Sequence, residues 1–352
     1  MDCNQFDGQV ARLDPAIAET AREFVLVRLT RMRGVDLDLF DFDYDLTWMG
    51  FFLNADGVVY GRYGGRDPES ADSRVSLAGL RYAMTAALER HRCGDVGRGK
   101  KDNKSPRTVE QLSAARRLPA RACVHCHQVY DLRRESLQAV GKWRLDEVWV
   151  YPLPENIGLT LDFDRGDRVS QVAADSPAAR AGIRAGDRLR TINDLPIASF
   201  ADVQYALHRA PASGQLTIVW QYEGRTKKGE LALAEGWRKT DISWRWSLRG
   251  LDPAPWVHGD DLSSEEKKVL GLSAKRLAFR QGPFVSEPAK RAGIRQNDVI
   301  LGINGQMLEM TARQFAAFIR LNCKVGERVT YNILRNGKRL DIPLRLDARV
   351  SP

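Results

Sequence analysis

Cys123-Val124-His125-Cys126-His127 is the stretch of this 352-residue chain best suited by residue type and spacing to chemistry. Cys-x-x-Cys-His is the attachment pattern of c-type haem. Thiols separated by two residues in a helical turn reach the two vinyl groups of one haem. The adjacent His127 then lies under the ring as an axial imidazole for iron. The following Gln128–Val140 is helix-compatible, as such an attachment needs. Met84, Met49, His91 and His125 are all candidates for a sixth ligand, and a five-coordinate iron is a further option. Two other chemistries fit the same residues. Cys123, Cys126 and His127 with Cys93 or His91 would make a four-ligand zinc site. Cys123 and Cys126 alone would make a redox dithiol. The expectation is haem c on Cys123, Cys126 and His127, with zinc as the alternative cofactor.

Bulk numbers bound what surrounds this motif. The composition, 43% hydrophobic and 28% charged, is that of a folded chain of two to four domains. No run of apolar residues is long enough to cross a membrane as a helix. Net charge is +9 and densest between Arg90 and Arg121, which reads as a basic solvated linker rather than a nucleic-acid face. Five cysteines are too few for a disulfide scaffold. Met1-Asp2-Cys3-Asn4-Gln5 lacks the basic and apolar regions of a signal peptide. Haem attachment happens outside the cytoplasm. The expected location is therefore the periplasm or envelope if the true start lies upstream and adds a signal, and the cytoplasm if Met1 is genuine.

Ahead of the motif, Asp14-Pro15 starts a helix to residue 23. Phe24–Leu29 reads as a buried strand, and Trp48–Asn54 with Val58–Tyr63 as a hairpin turning on Asp56-Gly57. Ser73–His91 reads as a helix with Leu77, Leu80, Met84, Ala87 and Leu88 on one face. This order, and the run Trp48-Met49-Gly50-Phe51-Phe52-Leu53-Asn54-Ala55-Asp56-Gly57-Val58-Val59-Tyr60-Gly61, resembles the rear of a thioredoxin fold. The family's redox pair reduces here to Cys3, with Phe6 in place of the second cysteine. Its cis-proline is absent near Trp48. The resemblance therefore implies the fold without dithiol exchange in this region. Gly94–Ala122 is linker, with Thr108–Arg117 as a short helix.

From Tyr151 the character changes. Ser176-Pro177-Ala178-Ala179-Arg180-Ala181-Gly182-Ile183-Arg184-Ala185-Gly186-Asp187 leads to Ile192-Asn193-Asp194. About 110 residues later Glu287-Pro288-Ala289-Lys290-Arg291-Ala292-Gly293-Ile294 leads to Asp298 and Ile303-Asn304-Gly305, an internal repeat. Both resemble the PDZ domains of bacterial envelope proteases. Each is followed by a helix, Ser199–Arg209 or Thr311–Leu321, and two strands, Leu216–Tyr222 with Lys228–Leu233 or Arg328–Leu334 with Lys338–Leu344. The resemblance implies a groove between a strand and that helix. A peptide adds to the strand edge, and a glycine-bearing turn offers N–H groups to its terminal carboxylate. On this reading Ile157, Gly158 and Leu159 form the first turn and Leu270, Gly271 and Leu272 the second. His208 reads as an exposed surface residue, and the tryptophans between the repeats as packing.

The expected fold class is α+β multidomain: a truncated thioredoxin-like α/β domain, a short helical Cys-x-x-Cys-His segment and two PDZ domains, each a partly open β-barrel with helices. The expected boundaries are 1–93, 94–150, 151–236, a Trp-rich linker 237–261, and 262–347. No Gly-x-Ser-x-Gly or His-Glu-x-x-His hydrolase pattern occurs. The layout resembles a family of bacterial envelope proteins of unassigned role. It implies an adaptor for peptide or protein C-termini or exposed β-strands, with a haem serving a redox partner. Two alternatives stand beside it: a thiol-disulfide oxidoreductase using Cys123 and Cys126, and a zinc-stabilised scaffold.

Overall fold

Short helices start the chain where side chains satisfy their first N–H groups. Helix α1 spans Asn4–Ala11, and Asp14 caps helix α2, Pro15–Ala21, by accepting from Ala16 N at 3.0 Å. The computed structural model describes residues 4–94, 105–119 and 121–349; Cys3 and linker positions 95–104 lie outside them. Strands β1 (Met49–Leu53) and β2 (Val59–Gly64) form the expected hairpin, with Gly57 at φ +79°. The Asn54 side chain accepts from Asp56 N and Val58 N to hold that turn. Helix α3 (Leu77–Arg92) is capped by Ser76 and packs Leu80, Ala83, Met84 and Ala87 against Ile17, Phe52 and Tyr60.

One expected strand does not form. Phe24–Leu29 has no strand partner among the described residues, and Val25, Leu26, Val27 and Leu29 are 55–93% exposed. Apolar β-branched residues read as a buried strand, but a strand needs a neighbour to take its N–H and C=O groups. Here the segment leaves β1 after the Phe24–Phe52 contact and runs to Met32, whose N–H bonds Val124 O at 2.8 Å. The region expected to be thioredoxin-like is therefore a two-stranded hairpin with three helices among the described residues. The expected helix at Thr108–Arg117 is two short 3-10 turns, and α4 runs over Cys126–Ala139.

Strands β3 (Leu159–Leu161) and β4 (Val169–Val172) pair antiparallel, and helix α5 (Pro177–Arg180) follows. Then come β5 (Arg188–Ile192), β6 (Leu195–Pro196), helix α6 (Phe200–Arg209), β7 (Gly214–Tyr222) and β8 (Arg225–Leu233), in sheet order β6-β5-β7-β8. Every second residue of β7 faces in, so Leu216, Ile218 and Trp220 meet Val203, Ala206 and Leu207 of α6. The chain divides into two compact units between Thr240 and Asp241. The residues expected to be a linker, 237–261, are thus shared between the units.

The second unit repeats the plan with a longer sheet. It contains β9 (Gly259–Asp261), α7 (Ser264–Val269), β10 (Phe279–Gln281), α8 (Glu287–Ala292), β11 (Val299–Ile303), α9 (Ala312–Asn322), β12 (Glu327–Arg335) and β13 (Lys338–Leu346). The order is β13-β12-β11-β10-β9. Asn336 and Gly337 both take positive φ in the β12–β13 turn, as a type I′ hairpin requires. Asp298, 1% exposed, is held by Arg335 through bonds of 2.7 Å to each carboxylate oxygen. Removing one partner of a buried pair strands the other charge. Arg335→Ala is therefore expected to cost the second unit about 3 kcal/mol, read as a lowered thermal midpoint for that unit.

Candidate functional site

The two grooves are built from a strand edge and a helix. In the first unit Ala173 N donates to Gly158 O at 2.9 Å and Asp162 N to Arg168 O at 2.8 Å. The main-chain groups of Gly158, Thr160 and Asp162 therefore point to β4, and those of Leu159 and Leu161 point away. Ile157 and Leu159 are fully buried core residues beside α6, and Gly158 has φ +86°. The side chains of Ile157 and Leu159 thus support the turn from beneath. A Cβ on Gly158 would lie 2.1 Å from Ser176 Cβ, so this turn and the α5 N-cap touch.

In the second unit the same relation is found earlier in the chain than residues 270–272. Strand β9 pairs with β10 as β3 pairs with β4, and β10 is followed by α8 with Ser286 as N-cap. The residue touching that cap is Trp256, at φ +61°, whose carbonyl accepts from Ser286 Oγ at 2.7 Å. The turn equivalent to Ile157-Gly158-Leu159 is therefore Pro255-Trp256-Val257. Leu270-Gly271-Leu272 instead closes α7, one helix after β9, with Leu270 N and Leu272 N bonded back to Lys267 O. The Ile-Gly-Leu and Leu-Gly-Leu strings look alike, but an inserted helix separates the second from the strand. A positive-φ tryptophan carries no sequence signal for such a turn.

Gly282 N donates to His258 O and Leu262 N to Ala278 O, so the main-chain groups of Gly259 and Asp261 face away from β10. Asp261 Oδ1 accepts from Ala312 N at 2.8 Å, which ties the free edge of β9 to the start of α9. A Cβ at Gly259 would sit 1.7 Å from Arg280 O, so only glycine permits this close pairing. Edge strand, helix and intervening channel are the parts a strand-adding peptide needs.

Two models described as PDZ domain match residues 168–221 and 283–346. The chain carries two PDZ domains. They are like those of DegP-type serine proteases. The periplasmic serine endoprotease DegP of Salmonella typhimurium is 29% identical over 183 residues, which is 50% of this chain and 36% of that protein. The periplasmic pH-dependent serine endoprotease DegQ of Escherichia coli is 30% identical over 181 residues, 50% of this chain and 37% of its own length. The chain thus spans little more than a third of these relatives. A solved serine endoprotease from Yersinia pestis matches 22% of this chain and 28% of its own at 25% identity, with a TM-score of 0.21. The HtrA-type protease AlgW with decapeptide matches 39% and 50% at 18% identity, with a TM-score of 0.23.

The thiol segment heads α4. Cys123 is exposed, and Cys126 is half-buried with Sγ 3.6 Å from Leu46 O. His125 and His127 lie in parallel planes 5.9 Å apart. Burial, and then the neighbouring His125, lower the pKa of His127, against Asp131 and Asp45. That favours the neutral imidazole, the form that ligates a metal. Among the described residues no group of three or more His, Cys, Asp or Glu stands together as a metal site, so the zinc set with Cys93 or His91 is not assembled. For a haem, the donor set fits in kind: two thiols outside any disulfide and an adjacent imidazole at a helix start. The exposed apolar chain Val25–Leu29 leads into the Met32–Val124 bond beside them. His208 departs from expectation. Its ring stacks on Tyr151 at 4.1 Å and is half-buried, and burial pushes its pKa down to about 4. Sequence could not place Tyr151 against α6, because the contact spans 57 positions.

Proposed function

We propose that this protein is an envelope adaptor that captures extended peptides or protein C-termini through PDZ-type strand addition. The free edge of β9 beside α9 carries the reading, because Gly259 and Asp261 turn their main-chain groups toward the channel. The periplasmic relatives support the envelope location. In the test, a pool of random octapeptides with free C-termini is titrated against the full chain by fluorescence anisotropy, alongside the same pool amidated. Binding of the free pool, weakened about tenfold or more by amidation, is the expected outcome, since a lost charge-assisted contact set is worth about 1.5–3 kcal/mol. Equal binding of the two pools, or none, overturns the reading.

A second reading adds a c-type haem on Cys123 and Cys126 with His127 toward iron. The exposed apolar chain Val25–Leu29, which runs on to Met32 against Val124, supports it, because such a surface is suited to covering a porphyrin face. When bound, the haem would supply one-electron redox chemistry. Cys123 and Cys126 would hold it and His127 would orient it. After expression with cytochrome-maturation factors, an absorption band near the haem Soret should survive denaturation and vanish in Cys123→Ala. Stoichiometric zinc, or insulin reduction without that band, would replace haem by the scaffold or dithiol alternative.

A further inference from the structure

The two grooves are in different states. Seven of the ten residues of α6 are buried: Phe200, Ala201, Asp202, Val203, Gln204, Ala206 and Leu207. In α9 only three of eleven are: Phe315, Ala317 and Ile319. Aligned on their N-caps, Ser199 and Thr311, the groove-side residues of α6 are Phe200 and Gln204, and those of α9 are Ala312 and Ala316. The first pair is buried and the second half-exposed. The strand edges differ at one of two matched positions. Leu161, whose main-chain groups face the first channel, is 3% exposed, and its counterpart Gly259 is half-exposed; Leu159 and its counterpart Val257 are both buried.

What covers the first groove at Phe200 is this chain's own residues 61–76; at Gln204 it is Tyr151, whose carbonyl accepts from Gln204 Nε2 at 3.2 Å. Main-chain groups at Arg62, on the free edge of β2, fasten the segment to α6 on the flank away from Phe200 and Gln204: Arg62 N donates to Asp202 Oδ1 at 2.9 Å, and Arg62 O accepts from Ser199 Oγ at 2.5 Å. The Arg62 guanidinium lies 3.5 Å from the Tyr205 ring centre. A Cβ on Gly65 would meet Phe200 Cδ1 at 2.6 Å. Arg74 then reaches across. It bonds Glu155 on the turn before β3 at 3.1 Å and lies 4.8 Å from the Phe200 ring at the start of α6. Its other partner is Asp67, at 2.8 Å. Ser76 Oγ bonds Asp164 at 2.6 Å, beyond the far end of β3. Turn, strand end and helix, the three borders of the channel, are all engaged by one continuous segment.

We infer that the first PDZ groove is an internal seat for residues 61–76, and that the groove between β9 and α9 is the site that takes an outside peptide. This rests on the proposed capture of chain ends and says which domain performs it. With Arg74 between Glu155 and Phe200 and Gly65 against the Phe200 ring, a second peptide has no open way to the β3 edge. The β9 edge retains its Gly259 and Asp261 groups for that purpose.

The test titrates the full chain with the labelled free-carboxylate octapeptide pool and follows amide hydrogen exchange in parallel. The wild-type chain should bind at one site per chain. Ala316→Glu, which places a charge in the second channel, should weaken binding at least tenfold. Arg74→Glu, which sets a carboxylate against Asp67 and Glu155, should add a second site and speed exchange at Leu159 and Leu161 while leaving β9 unchanged. Arg74→Gln serves as the milder variant should the charge reversal unfold the unit. Two equivalent sites in the wild type, or Ala316→Glu binding like wild type, would overturn the inference. A complete lack of peptide binding removes the capture reading instead. Exchange then decides the seat by itself: faster exchange at Leu159 and Leu161 on loosening Arg74 supports it, and unchanged exchange sinks it.

Discussion

Gly158→Ala is expected to lower the stability of the first unit by about 3–4 kcal/mol, whereas Gly271→Ala should cost about 1 kcal/mol. Both glycines have positive φ, +86° and +68°, so each alanine pays the left-handed penalty. Only at Gly158 does the new Cβ meet something, Ser176 Cβ at 2.1 Å and Oγ at 2.2 Å; at Gly271 nothing lies within 4 Å. Ser176 cannot step aside freely, because its Oγ caps α5 through Ala179 N. Losing an N-cap costs about 1 kcal/mol more. The second domain shows how the geometry is relieved: Trp256 holds φ +61° because Ser286 Oγ turns to donate to its carbonyl. Thermal unfolding of the full chain, followed unit by unit, is the measurement. A change of about 3–4 kcal/mol should move the first unit's midpoint by roughly 10 °C. Equal losses in the two variants would mean that Gly158 does not press on the α5 cap.

The PDZ repeats were legible because their signals are local. The helix read over Thr311–Leu321 forms at Ala312–Asn322, and Asn336-Gly337 turns a hairpin. Helix and strand periodicity fixed α6, α9, β7 and β12 within a residue or two. The turns at the groove mouths were legible once. Gly158 sits directly before its strand, but its counterpart is a tryptophan with an inserted α7 behind it. Phe24–Leu29 misled because hydrophobicity measures a wish for burial, and pairing depends on a neighbour that sequence does not display. The cover over the first groove was invisible for the same reason. Arg62 meets Asp202 across 140 positions and Arg74 meets Glu155 across 81. No periodicity reports contacts of that range. The Cys-x-x-Cys-His motif was found by spacing, and the helix read over Gln128–Val140 runs Cys126–Ala139.

Asp202 gives the seat a pH dependence with a definite sign. Its carboxylate is fully enclosed, accepting from Arg62 N, Ala198 N and Ser199 Oγ. Burial outweighs the Arg62 charge and these bonds, and pushes its pKa up from 3.8 to about 6. Between those values the folded chain holds a proton that the unfolded chain has released. The stabilisation from the protonated form is whole below about pH 4 and is lost as pH rises through about 6. A shift of this size corresponds to about 3 kcal/mol. Other carboxylates, such as Asp67, whose burial is outweighed by bonds from Ser73, Glu69 N and Arg74, are shifted down and oppose the slope. The informative quantity is therefore the difference in unfolding free energy between wild type and Asp202→Asn, measured by denaturant titration from pH 4 to pH 7. That difference should move against the wild type by about 3 kcal/mol across the window and then level off. A pH-independent difference would mean that water reaches the carboxylate, and with it that β2 does not close over α6.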